Sequence, residues 1–197
     1  MKQLLITGFD PFGGEAVNPS WEAVRRLSEE IGSYRLTRLQ IPTVFDKAAQ
    51  TVLDAAAQLT PHVILCIGQA GGRSAVTPEA VAINLREARI ADNEGFQPVN
   101  EPVIANGPAA YFATVPVRRM VKAMKDAGFP ARLSYSAGAY VCNDVLYTLL
   151  HALRDTPIQV GFIHVPFLPQ QGTPNMELDQ ITRALTAAIE GLHSEPI

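Results

Sequence analysis

With two cysteines, one tryptophan and 18% charged residues in 197 positions, the sequence lacks the material for several protein classes. Two cysteines cannot frame a disulfide-stapled fold, and without an export-type leader they are expected as reduced thiols in the cytoplasm. The run Met1–Thr7 is too short for a signal peptide and reads as a first strand. No stretch reaches the roughly 18 apolar residues that a membrane span needs. Basic residues are scattered, and a net charge of -3 offers no general field for nucleic acid or an anionic membrane. Arg118, Arg119, Lys122 and Lys125 read as one solvated helix face. No glycine-rich loop runs into Lys-Ser or Lys-Thr, no glycine cluster has dinucleotide-binding spacing, and no pair of histidines or cysteines has zinc-ligand spacing. Repeats, low-complexity tracts and linkers are also missing, so 1–197 is expected to be one domain, long enough for a substantial core.

What is there alternates between two periods. Leu4-Leu5-Ile6, Tyr34 to Ile41, Val63 to Ile67 and Ile158 to Val165 read as strands, and the continuous apolar run Val63-Ile64-Leu65-Cys66-Ile67 predicts burial on both faces. Between them the spacing predicts a helix from the Asn18-Pro19 cap to about Ile31, and others over Asp46–Leu59, Val115–Ala127 and Met176–Leu192. Further strands are expected at Glu79–Leu85 and near Ala131–Tyr135, flanking a proline-rich, largely irregular excursion over residues 92–110. Strands alternating with helices imply an α/β fold, a single-domain three-layer α/β/α sandwich around a mostly parallel, mixed and twisted sheet. Ligands of such sheets sit at the carboxyl ends of the strands. The loops after Thr7, Ile67 and Val165 leave at that edge.

The stretch from Ser134 to Asp144 opens onto an amphipathic helix whose apolar stripe is Val145, Leu146, Leu149, Leu150 and Leu153. Cys142 therefore stands at a helix N-terminus, where unpaired N–H groups and the macrodipole favour a thiolate. Cys66, enclosed by Leu65 and Ile67, reads as core. A cysteine nucleophile needs a base, usually oriented by a third group. His62 opens a strand at the wrong edge, His151 lies along the helix and His193 lies in the tail. His164 alone falls at the carboxyl end of a strand, among apolar neighbours that make its protonation tunable. Two carboxylates compete for the third place: Asp144, which also suits a helix start, and Glu79, beside Val81-Ala82-Ile83. Arg89 is placed to donate to a developing oxyanion next to the Cys142 N–H, or is a surface arginine.

These residues resemble the pyroglutamyl peptidase type I family, also called pyrrolidone-carboxylate peptidases. The resemblance runs over the whole chain. It rests on Thr7-Gly8-Phe9-Asp10-Pro11-Phe12-Gly13-Gly14, Gly68-Gln69-Ala70-Gly71-Gly72-Arg73, Ala82-Ile83-Asn84 after Glu79, Ala88-Arg89-Ile90 with Asp92-Asn93-Glu94-Gly95, Ser136-Ala137-Gly138 with Val141-Cys142-Asn143, and Phe162-Ile163-His164-Val165-Pro166. It implies a cytosolic cysteine exopeptidase, without cofactor or metal, that hydrolyses the bond after an N-terminal pyroglutamyl residue of peptides and forms homo-oligomers, commonly tetramers. By position, Cys142 is then the nucleophile, His164 the base, Glu79 its orienting carboxylate and Arg89 the oxyanion donor. Phe9, Phe12, Thr43, Ile90, Tyr140 and Val141 would wall the lactam pocket, with Gln69 and Asn18 as polar contacts. The chain departs from the family pattern at Ala80, Ala91, Ala139 and Tyr140, none of them a catalytic group. Two other readings stand beside this one: a non-catalytic α/β module binding pyroglutamyl or lactam ligands, and a purine-nucleoside-phosphorylase-like site, for which the sequence shows no phosphate cradle.

Overall fold

Leu4 and Ile6 project from one side of the first strand and Leu5 from the other, and all three are fully buried, so helices must cover both faces of this strand. The computed structural model describes residues 1–193 and shows those helices. The strands of the main sheet are β1 (Lys2–Phe9), β2 (Glu30–Ile31), β3 (Tyr34–Ile41), β4 (Val63–Gln69), β5 (Thr77–Pro78) and, completing it, Gln159–Val165. A separate hairpin-like pair joins β6 (Val81–Ile83) to β7 (Ala110–Phe112), so the last strand of the main sheet is β8. The order is β2-β3-β1-β4-β8-β5, with β3, β1, β4 and β8 parallel and the two short edge strands antiparallel.

The helices are α1 (Pro19–Val24), α2 (Lys47–Leu59), α3 (Val117–Asp126), α4 (Val141–Ala152) and α5 (Leu178–Glu190). One core layer joins Leu4, Ile6, Leu65, Ile67, Ile163 and Val165 to α1, α3 and α5; the other joins Leu5, Ile64, Cys66, Val160 and Phe162 to α2 and α4. The expected three-layer sandwich around a mixed sheet is therefore the observed one. The expected boundary at 197 falls outside the described residues.

Three local expectations are corrected. The first helix ends at Val24 instead of about Ile31, because Gly32 at φ 57 turns the chain into a hairpin that pairs Ile31 with Tyr34. The strand expected over Glu79–Leu85 is split: Thr77–Pro78 pairs with β8, Val81–Ile83 pairs with β7, and Glu79 is left between them. The strand expected near Ala131–Tyr135 contributes only isolated bridges, at Ala131 and Ser134. The second and third departures have one cause. The segment changes partners at Glu79, and its backbone groups are satisfied by the Ser134 strip and by β8 rather than by one continuous ladder.

Candidate active site

The parallel register sets Gly68 of β4 directly beside His164 of β8, and neighbouring strands lie only about 4.8 Å apart. Both positions face the α4 side, as do Cys66 and Phe162. A Cβ built on Gly68 would stand 2.9 Å from Cys142 Sγ and 2.7 Å from Phe162 Cζ. The thiol thus hangs over the backbone of the residue paired with His164, and only glycine leaves room for it. Cys142 is the second residue of α4, whose N-cap Tyr140 has extended backbone and no side-chain capping bond.

His164 is 3% exposed, and its Nδ1 lies 2.7 Å from Glu79 Oε1. Glu79 is fully buried and ionised, so it only accepts; Nδ1 carries the proton and Nε2 is left as the basic nitrogen. Burial works to raise the Glu79 carboxyl, but the hydrogen bond and charge of His164, with the Arg73 guanidinium behind them, hold it below the usual carboxylate range. Burial also pushes His164 below its ordinary 6.5, against the opposing pull of Glu79. Of the two candidate carboxylates, Glu79 is the one hydrogen-bonded to His164. Asp144 is fully buried and turned away from His164: Oδ1 accepts from Arg86 Nε at 2.6 Å and Oδ2 from the Asp46 N–H at 3.2 Å. It stands in the first turn of α4 as expected of a charge at a helix start, but its oxygens bond Arg86 and Asp46.

The expected thiolate is also corrected. Burial, reinforced by the negative charge of Glu79, pushes the Cys142 thiol up to about 12, and the opposing pull of Arg73 and of the Cys142 backbone N–H is smaller. Burial thus favours the neutral form of both the thiol and the imidazole. A helix start favours an anion only where it outweighs loss of water, and here it does not.

Arg89 is exposed. Its strip is tied to the entrance of α4 on both sides, by Glu87 N–H to Ala139 O at 2.9 Å and by Tyr140 Oη donating to Ala91 O at 3.1 Å. Phe12 and Tyr140 are ring neighbours at 6.0 Å, with Phe45 edge-on to Tyr140 at 5.4 Å; Ile90 Cδ1 approaches Gly13. Phe9 and Val141 are buried below, Phe9 against Phe162 at 6.2 Å. Thr43 is buried and held to Asp10 through both its N–H and its hydroxyl. Asn18 caps α1 through Oδ1 and donates Nδ2 to Asp10 O, so its amide braces the loop after β1. Gln69 Oε1 accepts from Gln171 Nε2 at 3.1 Å. Sequence reasoning passed over Arg73 and Gln171. Arg73 appeared only as the end of a glycine loop, yet its Nη1 donates to Glu79 Oε1 at 2.6 Å.

A buried carboxylate, an imidazole at a strand end and a thiol at the start of the preceding helix are the groups that a cysteine hydrolase on an α/β fold employs. The pyroglutamyl peptidase family model matches residues 2–195. The chain is 49% identical to the pyrrolidone-carboxylate peptidase of Bacillus thuringiensis strain Al Hakam, over 96% of this chain and 92% of that one. Its fold is similar to the crystal structure of pyroglutamyl peptidase I from Bacillus amyloliquefaciens, with a TM-score of 0.94, 47% identity, and 98% and 96% of the two chains covered. The pyrrolidone carboxyl peptidase of Thermococcus litoralis gives a TM-score of 0.91 at 36% identity, covering 97% and 93%. The chain belongs to the pyroglutamyl peptidase family, which is a family of cysteine peptidases.

Proposed function

We infer that this protein is a cysteine exopeptidase that removes N-terminal pyroglutamate from peptides through a thioester acyl-enzyme. The observation that carries this reading is the Glu79–His164 hydrogen bond set against a thiol packed over Gly68. A module that only binds lactams has no use for a carboxylate-oriented imidazole beneath a thiol.

In this reading His164 Nε2 takes the Cys142 proton as Sγ attacks the pyroglutamyl carbonyl. Glu79 holds the ring and offsets the imidazolium charge that forms. The oxyanion is met by the Cys142 N–H, one of the helix-start donors without an intrahelical partner, and by Arg89. His164 then protonates the leaving amine, and the same imidazole activates the water that cleaves the thioester. Because burial favours the neutral form of both the thiol and the imidazole, the nucleophile is generated by proton transfer when substrate is bound.

The lactam ring is flat, small and uncharged. Phe12, Tyr140, Ile90 and the buried Phe9 and Val141 supply apolar walls for it, and Gln69 can read its amide. Asn18 and Thr43 serve by fixing the Asp10 loop. A free α-ammonium would lie unpaired between such walls, which excludes ordinary N-termini. The reading places the enzyme in the cytoplasm, consistent with two free cysteines, and makes it a homo-oligomer of up to four copies. Exposed Phe112, Tyr135 and Val99 support the latter, and sedimentation analysis tests it. The test of function is Cys142→Ala assayed on a pyroglutamyl amide beside prolyl and glutamyl amides. Turnover should vanish on the first and be absent on the others throughout; turnover retained by the variant refutes the nucleophile assignment.

A further inference from the structure

Glu79 Oε1 receives two donors, His164 Nδ1 and Arg73 Nη1, at 2.7 and 2.6 Å. The same guanidinium reaches the Thr77 hydroxyl through Nη1 and Ser136 O, at 3.0 Å, through Nη2. Arg73 therefore touches both halves of the site: the acid that orients the base, and the strip from Ser134 to Tyr140 that delivers Cys142. The loop after β4 is shaped to bring it there. Gly71 lies against the Phe167 ring, where a Cβ would overlap Phe167 Cζ, and Gly72 takes φ 78, turning the chain back toward Glu79. The Arg73 side chain is 21% exposed while its carboxylate partner is fully buried, so the pair is drawn well out of water.

We propose that Arg73 is a positioning residue of this site, fixing through one forked side chain both the rotation of the Glu79 carboxylate and the approach of the nucleophile's loop. The proposal rests on the catalytic reading of Cys142, His164 and Glu79 given above. Only an arginine suits the place. Its planar fork spans two acceptors on different segments, whereas the single ammonium of lysine meets one at a time. Arg73 and His164 share Oε1, so without Arg73 the rotation of the carboxylate is held only by the imidazole and by the neighbouring Ser134 hydroxyl, and the base is less tightly fixed.

The charge has a second effect, with a definite sign. The ionisable groups around His164 and Cys142 are Glu79, Arg73, Cys66 and Tyr140. Arg73 disfavours the imidazolium and favours the thiolate. Its removal raises His164, moving the acid limb of kcat/KM to higher pH, and raises the Cys142 thiol, slowing alkylation at each pH.

The experiment compares wild type, Arg73→Met and Arg73→Lys, with Cys142→Ala as the blank for Cys66. Two profiles are recorded against pH: iodoacetamide alkylation and kcat/KM on a pyroglutamyl amide. Arg73→Met should lose on the order of 10²-fold in kcat/KM, the penalty of a misplaced reacting group, with both profiles shifted as stated. Arg73→Lys should keep the acid limb near wild type but still lose kcat. If Arg73→Met melts like wild type and both profiles coincide with wild type, the proposal is overturned. If Arg73→Met fails to fold, unchanged kcat in Arg73→Lys overturns it. An Arg73-dependent alkylation profile in a protein that does not turn over the amide would sustain Arg73 and sink the substrate assignment instead.

Discussion

Replacing Gly68 by alanine adds one carbon at the point where the nucleophile, the base and the sheet meet. That carbon would lie 2.9 Å from Cys142 Sγ and 2.7 and 2.9 Å from Phe162 Cζ and Cε1, where ordinary carbon contacts need about 3.5–4.0 Å. A displacement of roughly 1 Å is therefore forced on one neighbour or the other. The Phe162 ring has little freedom, being fully buried between Phe9 at 6.2 Å and the His164 ring at 4.8 Å. The half-buried Cys142, near the start of its helix, is the softer partner, so the thiol moves off the imidazole. Overpacking of this size costs about 1–3 kcal/mol in stability, but a misplacement near 1 Å at reacting atoms costs on the order of 10²-fold in rate. Gly161→Ala is the control, because its Cβ would meet Val115 on the opposite face of the sheet. Thermal melts and steady-state kinetics on a pyroglutamyl amide should show both variants destabilised, with kcat/KM lost only in Gly68→Ala. A folded Gly68→Ala enzyme with wild-type kcat/KM would refute the placement of Sγ on which the catalytic reading stands.

Two further outcomes follow from charge and burial. With the His164 imidazole held below 6.5 and needed neutral, kcat/KM should stay flat through neutral pH and fall only on the acid side of that value. With the Cys142 thiol near 12, alkylation of the free enzyme should climb about tenfold per pH unit through the neutral range, following the thiolate fraction. A plateau in alkylation between pH 6 and 8 would show a preformed thiolate instead. Arg86→Met strands the fully buried Asp144 carboxylate and should cost about 3–5 kcal/mol in urea unfolding. The double variant Arg86→Met with Asp144→Leu should recover much of that loss, because an apolar pair replaces the buried ions. No recovery would refute the assignment of the loss to an unpaired buried Asp144 charge.

What could be read from the chain itself was whatever depends on near neighbours. Apolar periods gave β1, β3, β4, α2, α4 and β8, and a helix following small residues placed Cys142 near its start. The position of His164 at a strand's carboxyl end then followed from topology rules alone. Competition between distant partners was not legible. Whether Glu79 or Asp144 served the histidine depended on where Arg73 and Arg86 delivered their charges, from 6 and 58 residues away respectively. The thiol's acidity was misjudged for the same reason: the helix start is a local feature, while the burial that outweighs it comes from packing against β4 and β8. The break at Glu79 likewise arises because two non-adjacent segments share one strip of backbone, and no periodicity records that. Sequence determined which residues could react, since side-chain chemistry and chain direction are local properties. Tertiary structure decided which charge each one feels and how much water it keeps, since both are set by atoms that meet only when the sheet closes.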